Sequence, residues 1–172
     1  MRLVKLTEIA EIKPFDCGDQ DLNEFLYDDA RFYNEQMLAH TYILEEDSET
    51  VAYFSLLNDK ISQTDLDKSL WRKLRKNIPH EKHYDSYPAV KIGRFAVSQN
   101  YAGKNIGSDI LDFIKRKLAD NNEYSASRFL TVDAYADAVP FYLKNGFVPL
   151  NEEDKEDETR LLYFDLNDVS EE

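Results

Sequence analysis

Between Ala89 and Val132 the chain changes its hydrophobic period twice, and no other stretch constrains the fold as much. AVKIGRFAV (residues 89–97) alternates apolar and polar side chains, the period-2 pattern of a half-buried strand. SQNYAGKN (98–105) is polar and broken by Gly103. Ile106, Ile110, Leu111, Ile114 and Leu118 then recur on one helical face to about Asp120. Phe129 to Val132 returns to a strand pattern. A strand, a helix and a second strand in one sheet predict a right-handed crossover, with strands 89–97 and 128–133 parallel.

The joint between the first strand and its helix is a candidate phosphate loop. A helix N-terminus presents unpaired amides and the positive end of the helix dipole. A loop entering it can wrap those amides round a phosphate or pyrophosphate. Gly103 and Gly107 allow close backbone approach, and Lys104 adds positive charge. Position 105 is Asn where such a loop prefers Gly, yet Asn is enriched among non-glycine residues at positive φ. Taken alone, the segment reads equally well as a plain strand-to-helix turn. It has neither a GK[ST] tail nor GxGxxG spacing.

The remaining elements fall on either side. Leu3 to Ile9 is strand-like. Asp19 or Asp21 can cap a helix through Leu22, Phe25 and Leu26, and a second helix covers Asp29 to Gln36. HTYIL (40–44) and VAYFSLL (51–57), separated by the acidic turn EEDSE, form a hairpin. Asp65 starts an amphipathic helix with Leu66, Leu70, Trp71 and Leu74, whose basic WRKLRK face is solvated. Ile78 to Tyr87 is a polar loop. Asp133 to Leu143 looks helical and stops at Asn145-Gly146. Phe147 to Leu150 and Thr159 to Leu166 make a last strand pair, joined by the solvated acidic loop NEEDKEDE. The order β-α-α-β-β-α-β-α-β-α-β-β predicts an α/β (α+β) chain: a mixed sheet with helices on its faces, in a single domain spanning residues 1–172.

Composition narrows the function classes. Hydrophobic residues make up 42% of the 172 residues, enough for a packed core. No apolar run reaches the roughly 18 residues needed to span a bilayer, and MRLVKLTEIAEIKPF lacks the apolar core of a signal peptide. The single Cys17 has no intrachain partner for a disulfide. A soluble, cytoplasmic protein with no membrane partner is expected. With 21 Lys and Arg against 34 Asp and Glu, the net charge is -13. Nucleic acid is therefore a disfavoured partner, and an amine or basic peptide a favoured one. His80 and His83 in HEKH have helical ligand spacing but no third ligand, so surface histidines are expected and no metal.

KIGRFAVSQNYAGKNIGSDILDFIKRKL followed by LTVDAYADAVPFYLKNGF resembles the GNAT superfamily of N-acetyltransferases. In that family a strand ending in an apolar "AV" enters a loop written R/Q-x-x-G-x-G/A. A helix, a strand and a helix carrying A-x-x-F-Y-x-x-x-G-F follow. Ala138, Phe141, Tyr142, Gly146 and Phe147 fill the second pattern, and the likeness covers about residues 89 to 150. Ala102 stands where Arg or Gln is frequent and Asn105 where the first motif glycine stands, while Gly107 supplies the second.

The resemblance implies a mostly antiparallel twisted sheet with a central parallel pair and helices on both faces. It also implies direct transfer of an acetyl group from acetyl-CoA to a primary amine of a small molecule or a protein. Backbone groups of Phe95, Ala96 and Val97 would meet the pantetheine and thioester. Ala102, Gly103, Lys104, Asn105, Ile106, Gly107 and Ser108 would hold the pyrophosphate. Tyr142 would be the general acid for the departing thiolate, since a phenol stays protonated near neutrality. Glu35, Asp133 and His40 are candidate bases, none of them singled out. Cys17 is expected to be a small packed residue rather than a nucleophile. Sheets of this kind also pair edge to edge, which allows a homodimer.

At the N-terminus, FDCGDQDLNEFLYDDARFYNEQ and TYILEEDSETVAYFSLLNDKI resemble a GNAT subgroup. That subgroup includes toxin-type enzymes acetylating the amine of aminoacyl-tRNA. Phe15, Cys17, Gly18, Leu22 and Phe25 carry this likeness. Such toxins tend to be basic, so the substrate is not carried over to this acidic chain. An acyl-CoA-binding module without catalysis is the other reading, prompted by Ala102 and Asn105.

Overall fold

A computed structural model describes residues 1–7, 10–78, 84–120 and 125–169. The strands are β1 (Arg2–Lys5), β2 (His40–Glu45), β3 (Thr50–Ser62), β4 (Ser86–Val97), β5 (Phe129–Tyr135), β6 (Val148–Pro149) and β7 (Thr159–Asp165). The helices are α1 (Gln20–Glu24), α2 (Ala30–Glu35), α3 (Lys68–Lys76), α4 (Ile106–Asp120) and α5 (Val139–Lys144). The element order is the expected one, and the sheet order is β1-β2-β3-β4-β5-β7-β6. Two compact units divide the chain: Met1–Leu57 with Ile92–Phe113, and Asn58–Lys91 with Ile114–Glu172.

In the first unit β1 pairs antiparallel with β2, Arg2 opposite Glu45 and Lys5 opposite Tyr42. β2 pairs antiparallel with β3. The Ser98 amide donates to Val51 O at 2.8 Å, so β4 ends beside the start of β3 and runs against it. Asp19 is the N-cap of α1 and accepts from the Leu22 amide at 3.0 Å. The helical path does not pause after Leu26 as expected. A π-helical turn, Phe25–Asp29, joins α1 to α2. Their apolar face packs on the sheet through Leu6, Phe15, Phe25, Leu26, Ala30, Ile43, Tyr53 and Ala96.

In the second unit β5 pairs antiparallel with β7, and β7 with β6. The Arg128 amide donates to Pro88 O at 2.9 Å, and Thr131 Oγ1 lies 3.4 Å from Val90 O. Both partner numbers rise together, so β4 and β5 are the expected parallel pair. Ile61, Trp71, Leu74, Tyr87, Ala89, Phe129 and Leu150 form this unit's core.

Several local expectations need correction. β1 ends at Lys5; Glu8 and Ile9 lie outside the described residues, as do His80 and His83. Asp65 does not start α3. It closes a capping box with Ser62 round the 3-10 turn Gln63–Asp65, and Asp67 caps the helix by accepting from Ser69 and Leu70. Asp133 to Tyr135 are not helical, because their backbone completes the ladder with Leu161, Arg160 and Thr159. α5 begins only at Val139, with Pro140 in its first turn, where a missing N–H costs nothing. The acidic loop 151–158 is more than a solvated connection. Asp154 accepts from the Leu161 amide at 2.8 Å and pairs with Arg160 at 3.2 Å.

Candidate functional site

All of the expected coenzyme-loop residues lie in the first unit, on one continuous path. β4 delivers Phe95, Ala96 and Val97, with Ala96 buried and its neighbours half-buried. The chain then makes a 3-10 turn, Gln99–Tyr101, and Ala102 to Asn105 are exposed. Gly103 has φ +75° and Asn105 φ +64°. Asn105 thus adopts the left-handed conformation for which glycine is the usual residue. Its side-chain amide donates to Asp109 Oδ1 at 3.1 Å.

The first helical hydrogen bond of α4 runs from the Asp109 amide to Asn105 O at 3.1 Å. The amides of Ile106, Gly107 and Ser108 therefore precede the ladder and project from the end of a 15-residue helix. Amides that precede the helical ladder, an exposed glycine and the positive pole of a long helix form a cradle that could hold a pyrophosphate. Losing a longer side chain at Ala102 removes no backbone donor. These residues fit the phosphates of acetyl-CoA.

The cradle is braced by contacts that the sequence did not reveal. Tyr101, two residues before Gly103, is buried, and its hydroxyl lies 3.0 Å from both Glu46 Oε2 and Glu49 Oε1. Burial first, then these two carboxylates, push its phenol up to about 12. Asn100 donates to Glu49 at 2.9 Å, and the Lys104 ammonium sits 4.4 Å from the Tyr101 ring centre. The EEDSE turn thus anchors the loop. On the other side the Gln99 amide donates to Asp16 O at 2.9 Å. The Asp16 side chain accepts from the Gly18 amide at 2.8 Å, and this bond holds its carboxyl below the usual range. Gly18 has φ +86°, a conformation that L side chains rarely adopt, which accounts for the glycine. A tyrosine two residues before the loop glycine and the acidic turn were the sequence signals of this bracing.

Tyr142 belongs to the second unit, on α5. It is buried, and its ring meets Phe141 and Phe147 edge-on at 5.2 and 5.3 Å. Burial pushes its phenol far above the ordinary value, so it stays protonated at neutral pH. Gly146, at φ +82°, turns the chain after α5 so that the Phe147 amide returns to Tyr142 O at 3.1 Å.

The candidate bases differ. Asp133 is held by Lys91 at 2.9 Å. Lys91 also lines a cavity of about 380 Å³ with Asp59, Thr131, Leu150 and Leu161. Glu35 is exposed at the end of α2. His40 has Nδ1 2.7 Å from Asn34 Oδ1, and burial and then Lys5 hold its imidazole below the usual range. The Cys17 thiol contacts Asn23 Oδ1 at 3.2 Å. Burial, followed by the Asp19 and Asp16 charges, pushes it up and away from the reactive thiolate. Among the described residues no cluster of three His, Cys, Asp or Glu could hold a metal, and no helix is long and apolar enough to cross a membrane.

Known proteins resemble this arrangement. A family model described as an acetyltransferase (GNAT) domain matches residues 80–166. AtaT complexed with acetyl-methionyl-tRNAfMet superimposes with a TM-score of 0.81 at 23% identity, covering 98% of this chain and 96% of that one. A mutant of KacT gives 0.78 at 23% identity over 98% of both chains. AtaTR bound with AcCoA gives 0.78 at 22% identity, over 98% and 95%. At these identities the structural likeness speaks for the fold.

Proposed function

The chain belongs to the GNAT acetyltransferase family, and we propose that it transfers an acetyl group from acetyl-CoA directly to a primary amine. The observation that carries this reading is the cradle of residues 102–108. It is rare for a non-glycine residue to hold a positive φ, and Asn105 does so where the free amides of a long helix begin. Those amides would bind the pyrophosphate, and backbone groups of Phe95, Ala96 and Val97 would align the pantetheine.

Acetyl-CoA supplies the activated acyl group. The neutral amine nitrogen attacks the thioester carbon, the C–S bond breaks, and Tyr142 gives its proton to the departing sulfur. The proton lost by the nitrogen passes to solvent, from which Tyr142 is reprotonated. A phenol held protonated by burial suits this role and no other acid-base role near neutrality. No residue is assigned as base. Tyr142→Phe is expected to lower the single-turnover rate roughly 100-fold while acetyl-CoA still binds in a calorimetric titration. An unchanged rate removes Tyr142 from the step.

A second reading narrows the acceptor to the amine of an aminoacyl-tRNA. The match to AtaT complexed with acetyl-methionyl-tRNAfMet, over nearly the whole of both chains, favours it. The net charge of -13 weighs against it, because a tRNA ligand rewards a basic surface. Mass spectrometry after incubating labelled acetyl-CoA with amines, peptides and charged tRNA separates the two. Binding of acetyl-CoA with no labelled product in any fraction would leave only a coenzyme-binding module.

A further inference from the structure

Tyr101 is the buried near end of the cradle, and two carboxylates converge on its single proton. Ala102, Gly103, Lys104 and Asn105 are exposed, while Tyr101 before them and Ile106 after them are buried. A Cβ on Gly103 would meet nothing within 4 Å, so no packing fixes the tip on that side. What fixes the near end comes from a distant part of the same unit. The Tyr101 hydroxyl reaches Glu46 Oε2 and Glu49 Oε1, both at 3.0 Å, across 55 and 52 residues of chain. Asn100 Nδ2 adds a bond to Glu49 Oε2 at 2.9 Å.

The turn that carries these carboxylates is itself tied down. The Glu46 amide donates to Glu49 O at 3.0 Å, and the Thr50 amide to Pro14 O at 3.0 Å. Lys13 Nζ donates to Glu46 O at 2.6 Å. The hydroxyl therefore joins the loop to a fixed point. A phenol has one proton to give, and a carboxylate can only accept. With its phenol pushed up to about 12, Tyr101 keeps that proton near neutrality. It donates to one carboxylate at a time, and the other faces its oxygen with no proton between them. Either carboxylate alone can satisfy the hydroxyl. The Tyr101 ring has a separate task, since it stations the Lys104 ammonium 4.4 Å from its centre.

We propose that Tyr101 is a positioning residue for the coenzyme: its hydroxyl, held by Glu46 or Glu49, keeps the cradle in its phosphate-binding shape before acetyl-CoA arrives. The proposal rests on the acetyl-transfer reading and on the cradle as the pyrophosphate site. A loop already in its bound shape loses little conformational entropy on binding, so the brace raises affinity without touching the ligand. It acts on the phosphates alone, and the pantetheine half of the coenzyme should be indifferent to it.

Acetyl-CoA carries the pyrophosphate and S-acetylpantetheine lacks it. Tyr101→Phe keeps the ring under Lys104 and removes the hydroxyl alone. In that variant the Kd for acetyl-CoA, from calorimetric titration, should rise roughly tenfold. The Kd for S-acetylpantetheine, from amide shifts in an NMR titration, should stay at its native value. Glu46→Ala alone should leave both constants unchanged, and the double variant Glu46→Ala, Glu49→Ala should match Tyr101→Phe. An unchanged Kd for acetyl-CoA in Tyr101→Phe, an equal rise for both thioesters, or the full loss in Glu46→Ala alone overturns the proposal. Should Tyr101→Phe fail to fold, the double variant decides. Failure of both to fold also overturns it, because the brace then serves the fold rather than the loop. Transfer of labelled acetyl with a Kd indifferent to Tyr101→Phe removes the brace and keeps the acetyl-transfer reading. A Kd that responds to Tyr101→Phe, with no labelled product from amines, peptides or charged tRNA, keeps the brace and removes that reading.

Discussion

Asn105 holds a backbone conformation that costs an ordinary L-residue about 1 kcal/mol and that glycine adopts freely. Asn105→Gly is therefore expected to bind acetyl-CoA at least as tightly in a calorimetric titration. Clear weakening would mean that the bond from its side chain to Asp109 shapes the cradle. The sequence anticipated this position, because asparagine is among the few side chains that take a glycine's place at positive φ. Thr41 shows the opposite case. It is fully buried on β2, and its hydroxyl has no hydrogen-bond partner among the described residues. Nothing in the string HTYIL distinguishes it from a satisfied strand threonine. Removing the orphaned hydroxyl while keeping the β-branched shape should stabilise the fold, so Thr41→Val is expected to gain about 1 kcal/mol in urea unfolding.

At the scale of elements, α1 and α3 begin where an aspartate side chain satisfies their first amides, and for each of them the sequence offered more than one such side chain. Asp19 was one of two candidates for α1, and it is the one that reaches the Leu22 amide. The Asp19 side chain satisfies a first-turn amide that no helical carbonyl can reach. Asp19→Ala should cost about 1 kcal/mol and Asp19→Asn little, read from the shift of the urea midpoint at constant slope. For α3 the local pattern favoured Asp65, yet Asp65 serves the preceding turn and Asp67 the helix. Both spacings obey the capping rules, so only the actual path of the chain chose between them. Asp133 to Tyr135 likewise had a helical look, and pairing with β7 overrode it, as long-range ladders override propensity.

For the molecule as a whole, the excess of 13 negative charges makes its response to acid a matter of a few held carboxylates. Glu45 lies at the end of β2, bonded by Arg2 and paired with Lys13 at 3.3 Å. The Arg2 bond, opposed by burial and reinforced by Lys13, holds its carboxyl below the usual range. A carboxyl lowered on folding contributes stability above its unfolded pKa of about 4.3. That contribution is lost as pH falls through the lowered value. Glu45→Gln should flatten the loss of stability below about pH 4 in thermal unfolding, and a slope equal to wild type would show that other carboxylates govern it. The sequence by itself determined the order of strands and helices, the parallel β4–β5 pair and the strand-loop-helix path of residues 95–108 with its positive φ at Asn105. Those features follow from hydrophobic period, glycine placement and helix polarity, which act within a few residues of one another. Tertiary structure alone decided the bracing of Tyr101 by Glu46 and Glu49 and the burial of Tyr142. Each depends on which distant groups arrive at the same place. That is set by packing and by the balance of desolvation against pairing, neither of which leaves a periodic mark in the chain.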